Sequence, residues 1–423
     1  MEQDAVEQGQ ERRPVPAAPL RHFARRAVEA ARGWPWWFQV TVLYVAARLA
    51  SACIFMAAAL QQGTSPWFPA GPDYWNFINI WDARWYGEVV TNGYPRVLPT
   101  DESGNVQENA WAFYPLFPLL AGGLSQLTGL ATGASLTLVA MLAGWGAALT
   151  AYALFRQRAQ HGAALWGVAF FATFPVSAVL QVPYAEPLSL LLLAGALLLV
   201  LRGQYLRAVP VVVLLCLSRP VGVPFAAMLG LLVAARAIEY VRRRRGGDGA
   251  PRTFRSLAEL AVLAAVAAVS ALAWPAIAWL TTGDPVAYTK TETVWRGHDL
   301  VPFKPWFDTG VDLFGPVLGL AAPFVFAALF GGALFLAPVV RLGAELRLWC
   351  ACYMGYLLVF LHPQTSTFRM LLPLFPLALA AALVSRSRAY RWTVVLMFVL
   401  LQTVWIVWLW AWAQLPGGGD YPP

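Results

Sequence analysis

Long apolar runs fill most of this chain. Most extend over roughly 16 to 28 residues, and they lack the strict apolar-polar alternation of a half-buried strand. A helix rises about 1.5 Å per residue, so about 20 apolar residues cross the hydrocarbon core of a bilayer, which is roughly 30 Å thick. Because helices satisfy their backbone polar groups within one segment, the pattern predicts an all-α integral membrane protein rather than a barrel.

About eleven transmembrane helices are predicted from these runs. They cover residues 36–60, 133–155, 163–181, 185–202, 206–218, 221–241, 256–281, 316–339, 347–362, 370–385 and 392–412. A basic tail (1–35) precedes this polytopic membrane domain (36–412), and a short tail (413–423) follows it. The polar tail residues carry no apolar core of their own, so all of the predicted packing lies between the two tails.

Three polar stretches are predicted to form outer loops: residues 61–132, 283–315 and 362–369. The first contains an apolar segment, residues 113–130, that prolines and glycines interrupt. This segment either spans the bilayer or lies along its surface as an interfacial helix. We predict the surface placement, because it leaves the arginines that follow residue 155 on the same side as the basic tail, in agreement with the positive-inside rule.

Composition narrows the class of protein further. Hydrophobic residues make up 59% of the 423 residues and charged residues 12%, with a mean hydropathy of +0.57. A soluble domain has about 25% charged residues, so these values exclude a cytosolic enzyme, a disordered protein and a nucleic-acid binder. We attribute the net charge of +8 to orientation in the membrane rather than to binding of an anionic ligand, since most arginines lie in the tail and in predicted cytoplasmic loops. We expect a cell (plasma) membrane protein with a cytoplasmic N-terminus and an extracytoplasmic C-terminus.

Chemically diverse side chains concentrate in the predicted outer loops, so an active site is expected there. In residues 81–89, helical spacing places Trp81, Trp85 and Val89 on one stripe and Asp82 with Tyr86 on the neighbouring face. An interfacial amphipathic helix with solvated charges is one interpretation. The other is a helix that holds a carboxylate at headgroup depth, where an enzyme acting on a lipid-linked substrate needs it.

Three more charged residues lie where apolar side chains are expected: Arg48, Glu186 and Arg219. A charge at the bilayer centre costs on the order of 2.5–3.5 kcal/mol, so such residues face a partner or a wet cavity. Arg48 is interpreted as a residue that holds two helices together. For Arg219 and Glu186, a structural ion pair or snorkelling stays open beside a functional role. Arg219 interrupts the predicted spans 206–218 and 221–241, the first of which is too short to cross and is expected to end in a cavity.

Several short motifs occur in a defined order along the chain. They are Trp81-Asp82-Ala83-Arg84-Trp85-Tyr86 with Asn92-Gly93-Tyr94-Pro95, Phe113-Tyr114-Pro115-Leu116-Phe117-Pro118, Pro183-Tyr184-Ala185-Glu186, Ser218-Arg219-Pro220-Val221-Gly222, and Phe368-Arg369-Met370-Leu371-Leu372-Pro373-Leu374-Phe375-Pro376. Together they resemble the PIG-V family of mannosyltransferases, which belongs to the GT-C class of polytopic glycosyltransferases. The resemblance implies a GT-C-like bundle, a polyprenyl- or dolichyl-phosphate sugar donor, a catalytic carboxylate in the first outer loop, and inversion at the anomeric carbon.

Residue roles follow from joining this resemblance to the chemistry of an inverting transfer. Such a transfer needs a base for the acceptor hydroxyl and cations for the departing lipid phosphate. Asp82 is the predicted base, and Arg219 and Arg369 are predicted to bind the phosphate. The further predicted substrate-binding residues are Glu186, Lys290, Arg296, His298, Lys304 and Tyr86.

The predicted partners are a polyprenyl-phosphate sugar donor, a glycolipid, glycan or protein acceptor, and the lipid bilayer, with no nucleic acid. No His, Cys, Asp and Glu pattern has metal-ligand spacing, so no metal or other cofactor is predicted. Two alternatives stay open. A flippase or transporter of lipid-linked saccharides would also use buried charges, and a GT-C polymerase or ligase would transfer more than one sugar.

Overall fold

The computed structural model describes residues 33–245, 251–295, 300–414 and 423. Most of the two predicted tails therefore lies outside the described residues. The described helices of the first half of the chain are α1 (Trp36–Gln61), α2 (Tyr74–Ile78), α3 (Asp82–Asn92), α4 (Leu116–Thr128), α5 (Thr132–Phe155), α6 (His161–Thr173), α7 (Glu186–Leu201) and α8 (Tyr205–Cys216). Short 3₁₀ turns occur at Ala110–Ala112 and Ser177–Gln181.

The second half of the chain is also helical. Its described helices are α9 (Gly222–Arg245), α10 (Pro251–Ala271), α11 (Ala273–Thr282), α12 (Ala287–Val294), α13 (Lys304–Ala333), α14 (Ala337–Val340), α15 (Ala344–Phe360), α16 (Thr367–Met370), α17 (Pro376–Val384) and α18 (Arg388–Trp405), with a 3₁₀ turn at Leu372–Leu374 and a π turn at Ile406–Trp410. Extended pairing in the described residues is limited to one bridge between Thr100 and Val106. The predicted all-α class is confirmed.

Six described helices are long and apolar enough to cross a membrane, or seven if the bent pair formed by α16, its following 3₁₀ turn and α17 counts as one span. The six are Trp36–Gln61, Thr132–Phe155, Gly222–Arg245, Phe254–Thr282, Lys304–Ala333 and Arg388–Trp410. The chain is therefore a multi-pass helical membrane protein. The predicted count of eleven is not confirmed, and it stays a prediction.

Proline is the physical reason for much of this difference. The predicted span 163–181 divides into α6, which ends two residues before Pro175, and a separate 3₁₀ turn. Helix α8 has 12 residues and α7 has 16. At about 1.5 Å per residue these two helices are roughly 18 and 24 Å long, less than the hydrocarbon thickness. Several of the predicted apolar runs are therefore not long continuous helices.

The apolar segment 113–130 forms the 13-residue helix α4. It packs against α3 and α5, and its length of about 20 Å is short for a span. This length favours the predicted surface placement. Arg48 has the predicted structural role, because its buried guanidinium donates to the backbone carbonyls of Ser177 and Ala172 and ties α1 to the end of α6.

Arg219 and Arg369 each lie at a place where a helical segment is interrupted. Helix α8 ends at Cys216 and α9 begins at Gly222, so Arg219 lies in the non-helical link between them. Arg369 lies in α16, and the axis bends by 74° between the segments Thr367–Leu374 and Pro376–Val384. Proline fixes each break by removing a backbone donor, at Pro220 in the first and at Pro373 and Pro376 in the second. The predicted break at Arg219 is confirmed.

Candidate active site

A cavity of about 660 Å³ lies where the segment of residues 61–132 meets both broken helical segments. Its wall combines apolar and charged side chains, which is typical of a site that binds an amphiphilic ligand. The lining residues include Trp67, Trp81, Asp82, Arg84, Trp85, Glu88, Glu108, Glu186, Arg219, Glu292, Trp295, Tyr353, Tyr356, His362, Gln364, Ser366, Arg369 and Met370. Four residues predicted from the sequence as base or substrate-binding groups are therefore brought to one cavity.

These four residues form a chain of ion pairs with alternating charge. Arg369 Nη1 donates to Asp82 Oδ2 at 2.5 Å and to Glu186 Oε1 at 2.8 Å. Arg219 Nη2 donates to the same Glu186 oxygen at 2.6 Å. The order is Asp82, Arg369, Glu186, Arg219, and the four charges sum to zero. We call this set the four-charge chain.

The four-charge chain is buried but open to the cavity. The side chains of Glu186 and Arg369 are 6% and 7% exposed, while those of Asp82 and Arg219 at its ends are 12% and 14% exposed. Burying an ion costs several kcal/mol, which attraction and hydrogen bonds offset when every charge has a partner. Within the described residues, Glu186 Oε2 and Arg369 Nε are buried without a hydrogen-bond partner. The two central residues of the four-charge chain therefore each keep one polar atom that makes no hydrogen bond in the described structure.

Local backbone geometry places Asp82 at the start of α3. The preceding residue, Trp81, has a φ of 58°, an uncommon conformation for a residue with a Cβ atom. Asp82 is the first residue of the helix, where the helix dipole favours a carboxylate. The Asp82 backbone N–H donates to the Tyr184 hydroxyl at 3.3 Å, and the Arg369 guanidinium lies 5.2 Å from the centre of the same ring. Tyr184 thus contacts both members of the Asp82–Arg369 pair.

Two tryptophan hydrogen bonds, which we call the tryptophan brace, join the residues just before α3 to the turn that follows α18. Trp81 Nε1 donates to the Trp410 carbonyl at 2.8 Å, and Trp410 Nε1 donates to the Phe77 carbonyl at 2.9 Å. The Trp410 ring is fully buried and lies 5.4 Å from the Tyr184 ring. Trp410 ends the π turn that follows α18, so the last described turn fixes the position of the first residue of α3.

Replacing Trp81 with Phe is expected to loosen this brace. The change removes the indole donor and leaves the buried Trp410 carbonyl unpaired, which costs about 1–3 kcal/mol. We expect a lower melting temperature in detergent and a roughly tenfold or greater fall in any turnover that depends on Asp82, because small misplacements of reacting groups are costly. Trp75→Phe in the same loop is the control, since Trp75 is 60% exposed. Equal melting temperatures for the two variants would contradict the brace.

Other predicted site residues do not line the cavity. Tyr86 is fully buried, and its ring packs edge-on against Phe113 and Phe117. Lys290 donates to Asp284 at 2.7 Å, a hydrogen bond that lowers the pKa of that half-buried carboxyl. Lys304 donates to Asp308 at 2.6 Å. Substrate contact by Tyr86, Lys290 and Lys304 therefore stays a prediction, as it does for Arg296 and His298, which lie outside the described residues.

Sequence reasoning did not single out Tyr184 or Trp410 as functional. Tyr184 does belong to the Pro183-Tyr184-Ala185-Glu186 motif, which was a usable signal. Trp410 lies in an apolar run with several other tryptophans, and nothing in that run distinguishes it. In the described part of the chain, no group of three or more His, Cys, Asp or Glu side chains is placed to hold a metal ion.

Comparison with known proteins gives limited results. No protein-family model and no curated protein matches the chain. It is similar to three crystal structures of the Archaeoglobus fulgidus oligosaccharyltransferase: a complex with Zn and sulfate, the apo form, and a form tethered by a disulfide bond to an acceptor peptide with the NVT sequon. Each is 14% identical with a TM-score of 0.43, and the matches cover 86% of this chain and 53%, 56% and 55% of those chains. The chain thus spans about half their length, and a likeness of this size assigns no function.

Proposed function

We propose that this chain is a GT-C-class glycosyltransferase that moves one sugar from a polyprenyl-phosphate donor to an acceptor hydroxyl on the extracytoplasmic face. The sugar is proposed to be mannose, after the resemblance of the ordered motifs to PIG-V enzymes. The acceptor class is a glycolipid, a glycan or a protein. The observation that carries the proposal is the four-charge chain, because it places a carboxylate and two arginines on the wall of one cavity in a membrane protein.

Each end of the four-charge chain has a role in this reaction. Asp82 accepts the proton of the acceptor hydroxyl as its oxygen attacks the anomeric carbon. The bond between that carbon and the phosphate oxygen breaks, and the lipid phosphate departs with the electron pair from the opposite face, which inverts the configuration. Arg219 and Arg369 stabilise the negative charge that develops on the phosphate.

Arg369 couples the two halves of the reaction. In the resting site its Nη1 donates to Asp82 at 2.5 Å. A protonated Asp82 attracts a guanidinium less strongly than an ionised one, because the ion pair is lost. The proton transfer therefore weakens the Asp82–Arg369 contact at the moment when the phosphate gains negative charge. Glu186 keeps both arginines in place throughout, since its Oε1 accepts from each of them.

The proposal is tested with purified protein in detergent. Polyprenyl-phosphate mannose labelled in the sugar is mixed with a panel of glycolipid, glycan and peptide acceptors, and product mass and anomeric configuration are measured. We expect addition of one sugar with inversion. Absence of product, combined with movement of labelled lipid saccharide across vesicles that contain the protein, would replace the enzyme with a flippase. A product carrying several sugars would indicate a polymerase or ligase.

A further inference from the structure

A second, smaller cavity of about 100 Å³ adjoins the candidate active site behind Arg219. Arg219, Pro220 and Tyr356 line both cavities, so the two share a wall at the break between α8 and α9. The remaining wall is mostly apolar. Its apolar residues are Cys216, Gly222, Val223, Ala271, Leu272 and Pro275.

One side of this small cavity is lined by apolar residues that are exposed on the surface of the helices. Val223 is 44% exposed and Leu272 is 63% exposed, and both belong to helices long and apolar enough to span a membrane. Leu272 precedes Thr282, the end of its span, by ten residues. Ten residues correspond to about 15 Å along a helix, so this position lies within the hydrocarbon thickness. Exposed apolar side chains on helices of membrane-spanning length favour contact of this side of the cavity with lipid chains.

The inner end of the small cavity is polar. Arg219 lies there with a pair of tyrosines, in which the Tyr114 hydroxyl donates to the Tyr288 hydroxyl at 3.2 Å. Tyr288 in turn donates to Glu292 Oε1 at 3.2 Å, and Glu292 lines the candidate active site. A cation and two hydroxyls at one end and hydrocarbon at the other fit an anionic amphiphile.

Gly222 fixes one side of this opening. A Cβ atom built on it would lie 2.7 Å from Cys216 Sγ and 3.0 Å from the Ala271 Cβ. The start of α9 therefore touches both α8 and the end of α10 as closely as a glycine permits. Because these walls are in close contact, the passage is narrow, and it suits a single hydrocarbon chain.

We propose that the prenyl chain of the donor lies in this passage between Val223 and Leu272, with its phosphate against Arg219. The inference rests on the proposed function and extends it by assigning the side from which the lipid enters the site. The sugar would then project into the larger cavity, toward Asp82. The acceptor would approach through the opposite, polar part of that cavity, where Glu88 and Glu108 lie on the wall.

Val223→Trp tests the passage by filling its mouth. Leu231→Trp is the matched control, because Leu231 lies on the same helix and is 52% exposed but does not line the cavity. Transfer is measured with a long-chain C55 donor and with a C5 donor, whose single isoprene unit ends before the mouth of the passage. We expect Val223→Trp to raise KM for the long donor about tenfold or more, because loss of two buried CH₂ groups already accounts for that factor. With Val223→Trp, KM for the short donor should change less than about twofold. With Leu231→Trp, KM for either donor should change less than about twofold. Equal KM values for the two variants with the long donor would overturn the proposal.

Photo-crosslinking supplies a measurement that needs neither turnover nor a bulky variant. The unmodified protein is irradiated with polyprenyl phosphate that carries a diazirine in its second isoprene unit, and the labelled peptides are sequenced. Label at Val223 or Leu272, competed by unmodified polyprenyl phosphate, is the expected result. Label confined to other helices would overturn the passage. Label at these residues in a protein that transfers no sugar would retain the lipid site and reject the glycosyltransferase.

Discussion

Asp82→Asn is expected to abolish sugar transfer almost completely. The amide cannot take the proton of the acceptor hydroxyl, and general-base catalysis contributes roughly 10²- to 10⁴-fold in rate. The replacement keeps the shape of the side chain, and its carbonyl oxygen can still accept from Arg369, which is 2.5 Å from the carboxylate. We therefore expect kcat to fall by at least about 10²-fold with little change in KM for the donor.

Two companion variants make this result specific. Glu102→Gln removes an exposed carboxylate from the same loop and should leave kcat unchanged. Asp82→Glu keeps the base but moves it by one CH₂ group, so it should retain more activity than the asparagine variant while staying well below the unmodified protein. Transfer by Asp82→Asn at the unmodified rate would remove Asp82 as the base. Asp82→Asn also breaks the buried ion pair with Arg369, so some fall in melting temperature is expected. A fall in kcat no larger than the loss of folded protein would indicate a structural role.

Arg369→Gln is expected to have the second largest effect, on both stability and transfer. The variant leaves Asp82 without its cation, and Glu186 keeps only Arg219 as a partner. Breaking a buried ion pair by removing one member costs about 3–5 kcal/mol, and the Arg369 side chain is 7% exposed. Loss of one cation at the developing phosphate charge lowers kcat about 10²- to 10³-fold.

A double variant separates these two effects. Arg369→Gln combined with Glu186→Gln removes one cation and one anion, so the free energy of unfolding should recover in part while kcat stays low. Arg158→Gln is the control, because its pair with Glu345 is more exposed, at 31% for the arginine side chain. Its unfolding free energy should change by about 1 kcal/mol or less. Recovery of kcat together with stability in the double variant would show that Arg369 acts on structure alone.

Local signals in the sequence indicated three of the four residues of the four-charge chain, and Arg369 was indicated by the resemblance of the ordered motifs. The helical pattern around Asp82, the charge at Glu186 inside an apolar run, and the Ser218-Arg219-Pro220 break each indicated a residue that now lies in one chain of ion pairs. Charged residues in apolar runs are informative because burial without a partner is so unfavourable. That Asp82 is joined to Glu186 by Arg369, and that Glu186 also accepts from Arg219, was not predictable from spacing.

Long-range contacts account for most of what the sequence did not reveal. The brace that joins Trp81 to Trp410 connects the first loop to the last described turn, and tryptophans in apolar runs carry no mark of such a partner. The described residues contain fewer long helices than predicted spans, because apolar composition does not show where a proline or a 3₁₀ turn ends a helix. Lys290 and Lys304 were predicted from charge and loop position, and the local ion pair that each forms was not visible in the sequence.

Electroneutrality of the four-charge chain has a consequence for how the reaction proceeds in a medium of low polarity. Two cations and two anions are already present before any substrate binds. During the proposed transfer, the negative charge of Asp82 disappears as a new one develops on the lipid phosphate, so the total within the cavity stays constant. No counterion has to be recruited from water. In the proposed mechanism, negative charge moves from the Asp82 side chain to the lipid phosphate, and the same two arginines balance it before and after the transfer.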